Sequence, residues 1–72
     1  MDRDHRELVC RLFAQATEIL EDTHIIATEG QSRRLSENVH VARAKKLVEA
    51  ATQLDSVANA ILAAARTSSA RR

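Results

Sequence analysis

Apolar residues recur every three or four positions along most of this chain. The clearest pattern covers residues 39–66, where Leu47, Leu54 and Ile61 lie seven residues apart. A second set with the same spacing consists of alanines, at Ala44, Ala51, Ala58 and Ala65. Because an α-helix turns once in 3.6 residues, a spacing of seven keeps each set on one side of the helix. The pattern therefore predicts one long amphipathic helix without an internal break.

The apolar face of this helix is unusually broad. We call a set of residues spaced seven apart a row. If the row that contains Leu47 is heptad position a, the alanine row is position e. Position d then holds Ala50 and Val57, and position b holds Val48 and Leu62. At 100° per residue, rows d, a, e and b together span roughly 160° of the helix surface. This is wider than the seam of a two-stranded coiled coil, so we expect more than one helical neighbour.

The first part of the chain repeats the pattern in the same phase. Row a holds Leu12, Ile19 and Ile26, row b holds Phe13, Leu20 and Ala27, and row e holds Val9, Ala16 and Thr23. Charged residues precede these rows, and an aspartate at position 2 or 4 is suited to cap the helix. We therefore predict a first helix over about residues 3–29.

One strong break separates the two patterns. Gly30, the sole glycine, suits a left-handed position just past a helix end, and Ser32 or Ser36 is suited to cap the next helix. We predict a single domain with a turn at about residues 30–35 and a second helix at about 36–67. The remaining residues, 68–72, lack the apolar rows and are expected to form a tail.

A short connection makes consecutive helices antiparallel neighbours. The predicted fold is therefore all-α, an antiparallel helical hairpin. A single hairpin would leave half of each broad face in water, so we expect two copies to dimerise into a four-helix bundle with an isologous interface. The predicted interface residues are Leu12, Phe13, Ile19, Leu20, Ile26, Leu47, Ala51, Leu54, Ala58 and Ile61.

Composition agrees with a small protein in a reducing compartment. The chain has 72 residues, a formal net charge of +1 and one cysteine, Cys10, which cannot form an intramolecular disulfide. The charged amino terminus lacks the apolar core of a signal peptide, and no apolar run reaches the ~20 residues of a membrane span. We therefore expect a soluble, cytoplasmic protein that does not interact with membranes.

Candidate catalytic and metal-binding residues are sparse. Asp55 interrupts row b, where it is either a boundary residue that reaches water or a buried acid. His24 and His40 are expected at the same level of the hairpin, with His40 facing inward and His24 outward. Neither this pair nor Cys10 has the partners of a metal site or an activated nucleophile. We predict no catalytic residue, no metal, no cofactor and no enzymatic activity.

Basic residues near the predicted turn suggest an alternative. In a dimer they would be doubled and could contact phosphates, although Glu29, Glu37 and Glu49 lie among them and no exposed aromatic side chain is expected for base stacking. The candidate nucleic-acid contacts are Arg33, Arg34, Arg43, Lys45 and Lys46.

The function we expect is that of a non-enzymatic interaction or regulatory module that acts through a homodimeric bundle. The broad face is equally suited to a helix of another protein. A nucleic-acid-binding helical dimer is the alternative. The identity of the partner stays open at this point, as does the relative orientation of two hairpins.

Overall fold

The computed structural model describes the backbone of residues 3–70 and the side chains of residues 3–67. Two helices, α1 (Arg3–Gly30) and α2 (Glu37–Ala70), make up nearly all of it. They run antiparallel and pack along their length, and the hairpin measures 55 × 15 × 11 Å. The predicted all-α helical hairpin is confirmed.

The starts of both helices follow from their first residues. Asp4 lies in the first turn of α1, where a carboxylate stabilises the positive end of the helix dipole. Ser36 caps α2, because its hydroxyl oxygen accepts the Val39 N–H at 3.3 Å. Ser32, the alternative cap, instead accepts the Arg34 N–H within the connection. The other predicted cap of α1, at position 2, lies outside the described residues.

The end of α1 differs from the prediction. Gly30 is the last residue of α1 rather than a left-handed residue beyond it, and no described residue has a positive φ. The connection instead begins with tight turns in which Gln31 N–H donates to Thr28 O and Ser32 N–H to Glu29 O. These i→i−3 bonds satisfy the last carbonyls of the helix without a left-handed residue, so no glycine is needed here.

This geometry predicts the effect of adding a side chain at Gly30. A Cβ atom there would meet no heavy atom within 4 Å, and the backbone is already helical. Gly30→Ala should therefore raise the free energy of unfolding by roughly 0.5 kcal/mol, because alanine loses less backbone entropy than glycine. Thermal unfolding followed by circular dichroism would show a higher melting temperature. A lower one would mean that Gly30 leaves the helical conformation in solution.

The second helix is longer than predicted. It continues to Ala70, so residues 68–70 of the predicted tail are helical, and residues 71–72 lie outside the described part of the chain. The loss of apolar rows after Arg66 suggested a tail. However, residues 67–70 contain neither glycine nor proline, and nothing in the backbone stops the helix there.

One strip of each helix contacts the other, and we call the two strips together the hairpin seam. Apart from the adjacent residues Ala64 and Ala65, it is a heptad pattern with alternating steps of four and three, and all of its residues are half-buried. In α1 the seam consists of His5, Val9, Leu12, Ala16, Ile19, Thr23, Ile26 and Gly30. In α2 it consists of Arg43, Leu47, Ala50, Leu54, Val57, Ile61, Ala64 and Ala65.

The hairpin seam uses only part of the broad predicted faces. It takes rows a and e of α1 and rows a and d of α2, while row b of both helices and most of the alanine row of α2 remain exposed. Among the described side chains none is buried, whether apolar or polar. Two helices alone therefore shield their apolar residues only partly from water.

Candidate interaction face

Large apolar side chains remain exposed on both helices. Phe13 and Leu20 of α1 are 56% and 53% exposed, and Val48 and Leu62 of α2 are 66% and 46% exposed. Isolated exposed apolar residues are common on protein surfaces, and a contiguous set is what indicates an interaction site. The question is therefore whether these side chains share one side of the hairpin.

Helix geometry places them together. We measure each row's rotation about the axis of its own helix, starting from the middle of the hairpin seam. Row b of α1 is rotated by about 80°, and rows e and b of α2 are rotated by about 70° and 130°. Because the helices run antiparallel, rotations of the same sign lead to the same side of the hairpin. We call this surface the apolar face. It consists of Phe13, Leu20 and Ala27 of α1, and Val41, Ala44, Val48, Ala51, Ala58 and Leu62 of α2.

Surface clefts along the hairpin agree with this assignment. Ala27 and Ala44 line one shallow cleft near the connection, although they belong to different helices. Clefts that lie elsewhere along the hairpin are lined by Gln15, Asp22 and Gln53. The side formed by row b of α1 and rows e and b of α2 is therefore apolar from Phe13 to Ala27 of α1, interrupted on α2 by Asp55. The other side is mainly polar but carries the exposed apolar side chains of Leu8, Ile25 and Val39.

Two polar contacts between the helices give the register. Near the connection, Arg43 Nη1 lies 3.0 Å from Glu29 Oε1. At the other end, His5 Nε2–H donates to the carbonyl oxygen of Ala64 at 2.6 Å. Residues whose numbers add up to about 71 therefore lie at the same level of the hairpin. On the apolar face these pairs are Phe13 with Ala58, Leu20 with Ala51, and Ala27 with Ala44.

The predicted interface residues divide into two groups. The six that belong to row a lie in the hairpin seam, where they join α1 to α2 of the same chain; these are Leu12, Ile19, Ile26, Leu47, Leu54 and Ile61. The other four, Phe13, Leu20, Ala51 and Ala58, are exposed on the apolar face. Only the second group is available to a partner while the hairpin is intact.

Some residues of the apolar face were not among the predicted interface residues. Val41, Val48 and Leu62 of row b are exposed beside the alanine row, and Ala27 and Ala44 extend the face towards the connection. The seven-residue spacing of row b was the available signal. It was weaker than the leucine row because Asp55 interrupts it.

His24 is exposed, as predicted, but His40 and the level of the pair differ from the prediction. His40 is exposed rather than inward-facing, and its Nε2–H donates to Ser32 O at 3.1 Å. In the observed register His24 lies level with about residue 47, some 10 Å along the axis from His40. The two histidines are therefore not at the same level. The prediction was wrong because it centred the hairpin near Ser32, whereas the first turn of α2 rises beyond the end of α1.

The remaining candidate residues lie apart from one another. Cys10 is an exposed free thiol, and Asp55 is exposed at the outer edge of the apolar face. Within the described part of the chain, no group of three or more histidine, cysteine or carboxylate side chains is placed to hold a metal ion.

The candidate phosphate contacts fall into different environments. Arg33 and Arg34 are exposed in the connection, whereas Arg43 forms the ion pair with Glu29. Lys46 lines a cleft together with Asp22 and Glu49, and Lys45 is exposed on α2. Carboxylates near Arg43 and Lys46 compete with phosphate for these cations, and binding of nucleic acid stays a prediction.

The fold and the exposed face together define the class of the molecule as an all-α helical hairpin with one apolar side. Neither a family model, nor a curated protein, nor a solved structure matches the chain. Across residues 3–70, neither helix has the length and apolar character that a membrane crossing requires.

Proposed function

We propose that this chain is a non-enzymatic protein–protein interaction module that acts as a homodimeric four-helix bundle, with the apolar face as the dimer interface. The observation that carries the proposal is the combination of an exposed apolar face with a lack of buried side chains in the described hairpin. Shielding the apolar face from water is the largest stabilisation still open to this sequence.

The surface area supports a partner of similar size. The chain exposes 5858 Å², whereas a compact monomer of 8.0 kDa exposes about 4,450 Å². The difference of about 1,400 Å² is larger than the ~800 Å² that each partner buries in an interface of standard size. The radius of gyration, 16.6 Å, likewise exceeds the ~11 Å of a compact chain of this length.

A second copy of the chain meets the requirements of this face. It supplies an apolar surface of the same length, and a net charge of only +1 per chain gives little repulsion between copies. Four helices packed around a common core are a stable arrangement for helices of this kind, and closed two-fold dimers are the commonest oligomers. We infer that the polar sides of the bundle then contact the regulated or scaffolded protein.

The molar mass in solution tests this proposal. Light scattering over a dilution series should give about 16 kDa, twice the mass of the 8.0 kDa chain, at both low and high salt. Protein concentration should be measured by refractive index, because the chain contains neither tryptophan nor tyrosine. A helical monomer at micromolar concentration would overturn the homodimer and direct the search to a helix of another protein.

A further inference from the structure

Given the proposed homodimer, on which this inference rests, the geometry points to one arrangement of the two hairpins. We infer that the two-fold axis runs parallel to the helices, so that α1 of each chain packs against α2 of the other. Both connections then lie at the same end of the bundle. The alternative is an axis perpendicular to the helices, which places α1 on α1, α2 on α2 and the connections at opposite ends.

The first reason is the distribution of side-chain size over the apolar face. Its α1 half carries the large side chains Phe13 and Leu20, and at the same levels the central row of its α2 half carries Ala58 and Ala51. A parallel axis preserves these levels. Phe13 then meets the partner's Ala58, and Leu20 meets the partner's Ala51. Large side chains packed against small ones fill the space between helices at a uniform spacing.

A perpendicular axis through the middle of the face instead packs each half against its own copy. Leu20 would then lie against the partner's Leu20 and Phe13 against the partner's Ala27, whereas the central row of the α2 half would pair alanine with alanine at every level. The distance between two helices depends on the side chains at the contact, so the α1 pair would be held apart where the α2 pair could approach closely. One half of the core would be crowded or the other underpacked, and either costs stability.

The second reason is the position of Asp55. It lies in row b at the outer edge of the α2 half, between Val48 and Leu62. The corresponding outer edge of the α1 half is row f, which contains Cys10, Thr17 and His24. With a parallel axis these two edges meet at matching levels.

Residues whose numbers add up to about 71 lie at the same level, and this gives Asp55 a polar neighbour in the partner. Because 17 and 55 add up to 72, the Asp55 carboxylate lies level with the partner's Thr17, whose exposed hydroxyl donates to Phe13 O within its own helix. A hydroxyl can rotate to donate to the carboxylate instead. Val48 and Leu62 would lie level with the partner's His24 and Cys10. With a perpendicular axis Asp55 falls opposite the partner's Val48, which has no polar group to offer.

Pulsed electron paramagnetic resonance distinguishes the two arrangements through distances between spin labels. In a Cys10→Ser background, Arg34→Cys places a single label in the exposed connection, and Glu7→Cys places one near the opposite end. The parallel axis predicts label-to-label distances of about 15–30 Å at both sites, given helix spacings of 8–10 Å. The perpendicular axis predicts about 40 Å at both sites, since each lies about 13–14 residues from Leu20.

A label in the middle of α1 separates failure of this inference from failure of the dimer. Glu21→Cys, on the exposed side of α1, lies near the centre of the hairpin and gives a short distance in either arrangement. A short distance at residue 21 with long distances at residues 7 and 34 would overturn the parallel axis while the dimer stands. If residue 21 gives no dipolar coupling and the mass is that of one chain, the proposed homodimer itself fails.

Discussion

Leu54→Asp should abolish the cooperative unfolding transition of this protein. Leu54 lies in the hairpin seam near the middle of α2, in the same row as Leu47 and Ile61. Losing a packed leucine lowers the free energy of unfolding by about 2–5 kcal/mol. The new carboxylate would also be partly removed from water where it contacts α1, which lowers the stability further. A chain of this size rarely has more than about 3–5 kcal/mol of stability from its core. Circular dichroism at 222 nm should therefore show much less helix and a broad, non-cooperative melt.

Asn59→Asp is the matched control for this variant. It adds the same charge to the same helix, at an exposed position that faces away from the hairpin seam. Its melting curve should stay close to that of the unmodified chain, since exposed substitutions usually change stability by less than about 0.5 kcal/mol. If Leu54→Asp melts like Asn59→Asp, Leu54 does not hold the helices together and the seam is wrongly assigned.

Phe13→Asp should dissociate the dimer through the apolar face. Phe13 is exposed in the single hairpin, so the hairpin seam is untouched by this change. In the proposed dimer its ring is buried once in each chain, and burial of a large apolar side chain is worth about 1.5–3 kcal/mol. Two copies together amount to about 3–6 kcal/mol, which raises the dissociation constant on the order of 10²- to 10⁴-fold. Light scattering should show the mass of one chain at concentrations where the unmodified chain is a dimer.

Gln15→Asp provides the comparison on the opposite side of α1. Gln15 lines a polar cleft two residues away, so this variant carries the same new charge in the same stretch of helix. It should remain a dimer with an unchanged dissociation constant. If both variants have the mass of two chains over the whole dilution series, the apolar face does not mediate association. Dissociation of both would indicate a general effect of charge on α1 instead.

The two helices and their main apolar row could be predicted because they depend on the strongest periodic signal in the sequence. The Leu47, Leu54 and Ile61 row and its counterpart in α1 occupy the contact between the helices. The cap of α2 could be narrowed to two serines, and the structure selects Ser36. Residue spacing and capping residues are local features of the sequence, and they are sufficient to predict the two helices and the turn between them.

The details that could not be predicted depend on how the connection positions α2 relative to α1. The end of α1 is satisfied by tight backbone turns, so the one glycine does not mark a left-handed residue. The pairing of His24 with His40 failed because the register follows from packing near Glu29 and Arg43 rather than from the midpoint of the turn. Such offsets arise from tertiary packing, which residue spacing does not encode.

The division of the broad face was also beyond the sequence. Rows d, a, e and b of α2 are all apolar enough to be covered, and spacing alone does not say which rows meet α1. Leu20 and Ala51 were grouped with Leu54 as interface residues, although only Leu54 lies between the helices of one chain. Only the three-dimensional arrangement separates an internal contact from a surface left for a partner.

The contact between His5 and Ala64 has a consequence for anything joined to this chain. It holds the start of α1 beside the last turns of α2, so Arg3 and Ala70 emerge from the same end of the hairpin. In a dimer with a parallel axis, all four chain ends would emerge together. A weak binding segment attached there would be presented in two copies within a few nanometres. After one copy has bound, the second copy would bind at a millimolar effective concentration. The dimer would therefore bind a bivalent target more tightly than a single segment does.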